Sequence, residues 1–224
     1  WCEIDLPEYD VSVEFTAGSH CCYLVHVYEK DGEGHYVYDA GDFLPSFKDV
    51  DGDGHHEMIA GDPTYSSWPY GRVSTPAPEI IWRMTPSGFS LAVDLMSKPL
   101  PAGSALESYK SSIGSPSKEY HHLYFVTLDL IYSGHEREAW AFFDDAWPMF
   151  FGLMFSHGQW SEESAEASRT PTEEEAYRKE EFRAEFIDKI CSSLFADSLD
   201  SSDGSKQRFF FVWKAVLFLR IIIM

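Results

Sequence analysis

The first hundred or so residues alternate short runs of aromatic and β-branched side chains with turns rich in glycine and aspartate. Residues 30–34 and 85–88 have the composition of hairpin turns, and each lies between two such runs. The pattern predicts an antiparallel β region over residues 1–98. The apolar runs cover residues 11–15, 23–28, 35–38, 58–60, 79–84 and 89–93.

After residue 98 the apolar side chains begin to recur at intervals of three and four. Residues 105–111 predict a short helix, and a longer helical pattern is interrupted at Ser133 and Gly134. We expect a helical hairpin region over residues 99–155, with its second helix ending at Pro148. The apolar positions on the two sides of the break are Leu123, Val126, Leu130, Ile131, Ala139, Phe142, Phe143, Ala146 and Trp147.

The C-terminal part combines polar stretches with one amphipathic helix. Residues 156–172 are acidic, lack an apolar period and predict a linker. Thr170 and Glu173 have the spacing of a capping box, and residues 173–224 predict a helix followed by an apolar tail. The fold class expected for the whole chain is α+β.

The apolar tail at residues 209–224 is shorter than the roughly 20 residues of a membrane-spanning helix, and it carries Lys214 and Arg220. A buried strand or packed helix is the favoured interpretation, and a membrane anchor is the alternative. Membrane association is therefore not expected except through this tail.

The charge of the chain excludes two classes of partner. It has 37 acidic against 17 basic residues and a formal net charge of −20, which repels phosphate backbones and anionic headgroups. Nucleic acid is not an expected partner. The same excess attracts cations, but only a defined spacing of ligands would indicate a metal site.

Residues 49–57 have that spacing. Asp49, Asp51, Asp53 and Glu57 occupy positions 1, 3, 5 and 9 of the segment, where a tight turn directs their oxygens to one centre. The backbone carbonyl of His55 at position 7 completes the usual set of ligands for a hard cation. The spacing predicts a Ca²⁺ site, and the alternative is a hairpin turn without a metal.

The metal loop does not have the pattern of an EF-hand, because position 12 is Ala60 rather than glutamate. The block 47–62 instead resembles the FG-GAP or VCBS repeat, in which such a loop joins two antiparallel strands and binds calcium. This resemblance implies the same five ligands. The chain carries a single copy, which excludes a propeller of several blades.

The loop together with the following aromatic residues is also similar to a group of uncharacterised bacterial extracytoplasmic proteins, which implies the same location here.

Gly134, Ala139, Phe143 and Ala146 resemble half of a tetratricopeptide repeat. One such hairpin cannot form a solenoid, so a helical hairpin packed on the sheet is expected.

The cysteines leave two possibilities open. Cys2 can form a disulfide with Cys21 or Cys22, and buried free thiols are the equally weighted alternative.

The sequence has none of the GxSxG, HExxH or P-loop motifs. We therefore expect a non-enzymatic, calcium-binding extracytoplasmic module with an unknown protein or glycan partner, contacted through the aromatic segment 65–72. The alternative is a carbohydrate-active hydrolase with a carboxylate pair, in which Tyr65, Trp68, Tyr70 and Trp82 would stack on sugar rings.

Overall fold

The structure is a computed structural model of the chain. It divides into two compact units, Trp1–Phe150 and Phe151–Met224. It describes residues 2–15, 23–30, 32, 34–41, 43–66, 68–69, 75–85, 88–113, 121–156 and 170–196. The tail at 209–224, most of the linker, and Cys21 and Cys22 lie outside these ranges.

The N-terminal sheet is an antiparallel meander. Its strands are β1 (Cys2–Asp5), β2 (Tyr9–Phe15), β3 (Tyr23–Glu29) and β4 (His35–Gly41), paired in that order. Alternate residues face the core, which matches the period of two in the sequence. The buried positions in β2 to β4 are Val11, Val13, Val25, Val27, Tyr38 and Ala40.

The second sheet has four antiparallel strands in the order β5 (Ser46–Lys48), β6 (Glu57–Gly61), β7 (Glu79–Thr85) and β8 (Gly88–Leu91). Met58 and Ile80 are fully buried in it. From the first sheet, the Tyr38 ring packs edge-on against Trp82 and tilted against Phe89. The aromatic residues of both sheets therefore form part of one core.

Four α-helices and one short 3₁₀ helix complete the described elements, and the α+β class is confirmed. They are a 3₁₀ helix at Pro63–Tyr65, α1 (Gly103–Ile113), α2 (His122–Tyr132), α3 (Glu136–Ser156) and α4 (Pro171–Cys191). Gly134, with a φ of 88°, closes α2, which agrees with the predicted break. Among the described residues, none of these helices combines the length and the apolarity required to cross a membrane.

The expected helix end at Pro148 is wrong, because the proline lies inside α3, which continues to Ser156. A proline in a helix removes one backbone hydrogen bond. Phe150 and Met154, beyond the proline, are both buried. Burial of their side chains offsets the lost bond.

The predicted capping box begins α4. The Glu173 N–H donates to Thr170 Oγ1 at 3.3 Å, and the Thr170 N–H donates to Glu173 Oε2 at 2.7 Å. Phe182, Phe186 and Ile190 are buried along one face of the helix, as the apolar stripe predicts.

A buried carboxylate connects the end of β6 to α2. Asp62 is fully buried, and it accepts hydrogen bonds from the Thr64 N–H at 2.9 Å and from the Tyr132 hydroxyl at 2.7 Å. The Tyr65 hydroxyl lies 3.2 Å from that of Tyr132. These contacts hold the second sheet against the helical region.

Replacing Tyr132 with phenylalanine should lower the free energy of unfolding by about 1.5 to 3 kcal/mol, because a buried carboxylate loses a hydrogen-bond donor. Urea denaturation of wild type and Tyr132→Phe measures this. Tyr28→Phe, which removes a hydroxyl from a side chain that is 42% exposed, is the control and should change stability by less than about 0.5 kcal/mol. Equal stability of wild type and Tyr132→Phe would contradict a structural role for this bond.

Tyr38 should make the fold sensitive to alkaline pH. Burial raises the pKa of Tyr38 from 10.0 to about 12. Between these values the unfolded chain releases the proton before the folded one, so this contribution to stability is intact below pH 10 and is lost as pH rises toward 12.

At pH 11 the loss from Tyr38 should reach about 1.4 kcal/mol, since one pKa unit corresponds to about 1.36 kcal/mol. Urea melts of wild type and Tyr38→Phe between pH 8.5 and 11 measure the difference. An identical decline in both proteins would show that Tyr38 does not contribute.

Candidate metal centre

The loop with the predicted ligands joins β5 to β6, as expected for a hairpin. Lys48 and Glu57 are the last residue pair of the two strands, and residues 49–56 form the connection. Gly52 and Gly54 have φ angles of 79° and 93°. Side chains other than glycine rarely adopt this left-handed conformation, so the two glycines permit the sharp turn.

Backbone N–H groups of the loop are directed at its carboxylates. Asp49 accepts from the Gly52 N–H at 2.7 Å and from the Gly54 N–H at 3.1 Å. Glu57 accepts from the Val50 N–H at 2.9 Å. These hydrogen bonds hold the backbone of the loop close to the carboxylates of Asp49 and Glu57.

Three of the predicted ligands converge. Asp49, Asp51 and Glu57 each offer an oxygen, and these oxygens all lie within 4.8 Å of one another. Two oxygens that bind one metal ion at about 2.3 to 2.6 Å are at most roughly 5 Å apart, so the three side chains could hold a metal ion. Glu57 is 2% exposed, whereas Asp51 is exposed at the rim.

The other two predicted ligands are placed differently. The Asp53 carboxylate accepts a hydrogen bond from the His55 N–H at 2.8 Å and is not one of the three converging side chains. The His55 imidazole lies 3.1 Å from Glu8 Oε1 and is 68% exposed. The imidazole therefore does not join the acidic cluster. The carbonyl of His55 as a ligand stays a prediction.

Arg83 is a residue of this site that the sequence analysis missed. Its guanidinium donates to Asp51 Oδ2 at 3.1 Å and to both oxygens of Asp94 at 2.8 and 2.9 Å. The hydrogen bonds from Arg83 hold the pKa of Asp94 below its ordinary value. A positive charge thus lies beside one of the three clustered carboxylates.

The strand register explains the position of Arg83. Trp82 of β7 pairs with Met58 of β6 in antiparallel register, so Arg83 lies beside the start of β6, where the loop ends. A lone arginine in an apolar run is a recognisable signal. Which loop it would reach depends on the order of the strands.

The aromatic residues expected to contact a partner or a sugar are partly in the core. Tyr65 is fully buried and Trp68 is 5% exposed, and their rings pack against Tyr132 and Tyr124 respectively. Neither side chain supplies an exposed stacking surface. Residues 67 and 70–72 of the same segment lie outside the described ranges.

No family model, curated protein or solved structure matches this chain. The chemistry of the loop is therefore what indicates a function.

Proposed function

We propose that residues 49–57 bind Ca²⁺ and that the protein is a calcium-stabilised, extracytoplasmic binding or scaffold module. The observation that carries this proposal is the convergence of Asp49, Asp51 and Glu57 within a hairpin loop. These three carboxylates would hold the ion, with Asp53 and the His55 carbonyl as the further ligands predicted from the spacing.

The donor set favours calcium over other common metals. All its side-chain donors are carboxylate oxygens, which suit hard cations, whereas imidazole and thiolate suit zinc and copper. Mg²⁺ requires a small octahedron and gives up its water reluctantly. An open loop with an exposed rim suits the larger and less regular coordination of Ca²⁺.

A structural role follows from the position of Glu57. This side chain belongs to the first residue of β6, next to Met58 in the core, while Asp49 and Asp51 belong to the loop. A cation between them would join the loop to the sheet. It would also neutralise carboxylates that otherwise repel one another.

The proposed extracytoplasmic location is based on the affinity for Ca²⁺ that we expect of this loop. A single loop with an exposed rim should bind Ca²⁺ with a dissociation constant of roughly 10⁻⁵ to 10⁻³ M, the weaker end of protein calcium sites. Such a site fills at extracellular calcium concentrations and stays largely empty at resting cytosolic ones.

Calcium should stabilise the wild-type protein and should have little effect on Asp51→Ala. At 100 times the dissociation constant the gain is about 2.7 kcal/mol, equivalent to roughly 5 to 10 °C in melting temperature for a chain of this size. Thermal melting in EGTA, in Ca²⁺ and in Mg²⁺ measures the increment for each protein.

Glu3→Ala is the matched control, because Glu3 is an exposed carboxylate on β1 in the other sheet. It should retain the full calcium increment. If calcium stabilises Asp51→Ala as much as the wild type, the loop is a hairpin turn and does not bind calcium.

Arg83 should weaken calcium binding by neutralising Asp51. Replacing it with glutamine should therefore tighten the calcium dissociation constant about two- to five-fold, since a partly exposed ion pair contributes up to about 1 kcal/mol. Isothermal titration calorimetry measures both proteins.

Lys98→Gln is the control for this change of charge, because Lys98 contacts Glu79 and Asp129 rather than the loop. Its calcium affinity should match the wild type. Weaker binding in Arg83→Gln would instead show that Arg83 holds the loop in its binding conformation.

A further inference from the structure

Two histidines face each other on the outer surface of the N-terminal sheet, whereas the acidic loop belongs to the second sheet. His26 lies on β3 and His35 on β4, where His35 pairs with Tyr28 and His26 pairs with Val37. The two histidines are therefore diagonal neighbours on one face. Val37, the register partner of His26 on the same face, is 52% exposed, so this face is open to solvent.

The two imidazoles are close enough to share one bound atom. Nδ1 of His26 lies 3.2 Å from Nε2 of His35, and the ring planes are within 11° of parallel. At this distance one ring N–H donates to the other ring nitrogen. The Tyr28 ring stacks on His35 with a centroid separation of 4.4 Å and limits the movement of that imidazole.

The other nitrogen of His26 faces a carboxylate. His26 Nε2 is buried and makes no hydrogen bond within the described part of the chain. Glu14 Oε2 on β2 lies 3.6 Å from this nitrogen. A metal-binding imidazole commonly directs its second nitrogen to such a carboxylate, which fixes the tautomer and raises the basicity of the ligand.

We infer that His26 and His35 form a site for a late first-row divalent cation such as Cu²⁺, Zn²⁺ or Ni²⁺. Two imidazole nitrogens bound to one tetrahedral Zn²⁺ at about 2.0 to 2.1 Å lie roughly 3.3 Å apart, close to the separation observed. The ring that donates the shared hydrogen bond transfers its proton through water to its own second nitrogen, which leaves both facing nitrogens unprotonated. Small rotations of the two rings then direct these nitrogens at the metal. Glu14 orients His26, and water completes the coordination on the exposed face.

This site and the acidic loop differ in their donors. Imidazole nitrogen binds Cu²⁺, Ni²⁺ and Zn²⁺, whereas an all-carboxylate loop favours Ca²⁺. The histidine site is independent of the proposed calcium site, because the two share no residue and lie on different sheets.

Titration of the full chain with Cu²⁺, Zn²⁺ and Ni²⁺ at pH 7.5 tests the site. Millimolar Ca²⁺ is present throughout to compete at the acidic loop. Isothermal titration calorimetry gives the number of bound ions and their affinity. Electron paramagnetic resonance of the Cu²⁺ form gives the number of nitrogen ligands.

Wild type should bind one more equivalent than His35→Gln, with the tightest binding for Cu²⁺, and its copper spectrum should show two nitrogens at this site. His26→Gln should lose the same equivalent. Glu14→Gln should retain it with an affinity about 10-fold to 100-fold lower. His135→Gln is the matched control, since it removes a histidine of the helical region that contacts the Lys98 carbonyl, and it should behave like the wild type.

The decisive variant is His35→Gln, because His35 is exposed and its replacement leaves the buried face of the sheet intact. Circular dichroism checks its fold. Equal metal content and equal copper spectra in wild type and His35→Gln would overturn the inference and leave the histidines as a hydrogen-bonded surface pair.

Discussion

Repulsion among acidic side chains is the constraint on which the loop depends. The chain has a net charge of −20, yet it brings oxygens of Asp49, Asp51 and Glu57 within 4.8 Å of one another. At 4 Å, two like charges repel by about 1 kcal/mol in water and by about 4 kcal/mol near a protein surface. Loop N–H groups and the Arg83 guanidinium offset part of this. A divalent cation at the same point would offset far more, which is the physical basis of the calcium proposal.

Asp62 shows the other way in which this fold accommodates a carboxylate. It is fully buried, and its two oxygens accept from a backbone N–H and from the Tyr132 hydroxyl. Those donors are fixed within the core and give the residue a structural role. Asp51 is exposed, and its contact with Arg83 is an ion pair at the rim. Ions from solvent can therefore reach the Asp51 carboxylate, whereas the Asp62 carboxylate is enclosed in the core.

The sequence predicts much of the fold because its main elements have strong local signals. Alternation in β2 to β4 and the capping box of α4 depend on neighbouring residues alone. The apolar pattern does not predict β1, and β5 is expected only from the resemblance of the loop to a repeat, because runs of four and three residues show too little of a period. Pro148 was misjudged because burial of Phe150 and Met154 beyond it depends on tertiary packing.

In the candidate sites too, contacts between residues close in the sequence are predictable, and contacts between distant strands are not. Asp49, Asp51 and Glu57 lie close together in the sequence, so their spacing was enough to predict that they converge. Arg83 comes from a strand more than twenty residues beyond the loop, and its contact depends on the pairing of β6 with β7. His26 and His35 become neighbours only through the register of β3 with β4. Contacts set by strand register are not visible in a single sequence without a structure.

Net charge cannot decide which metal such a protein binds. An excess of carboxylates attracts every divalent cation to the surface, and salt screens this attraction at distances beyond about 10 Å. Selectivity has to come from the donors that touch the ion. The loop offers oxygens on a turn whose exposed rim can accommodate a large cation, and the histidine pair offers two nitrogens held by strand pairing and by the Tyr28 ring. Because the donor types differ, calcium in excess would not displace copper or zinc from the proposed histidine site, and the two proposed sites could be measured separately in one protein.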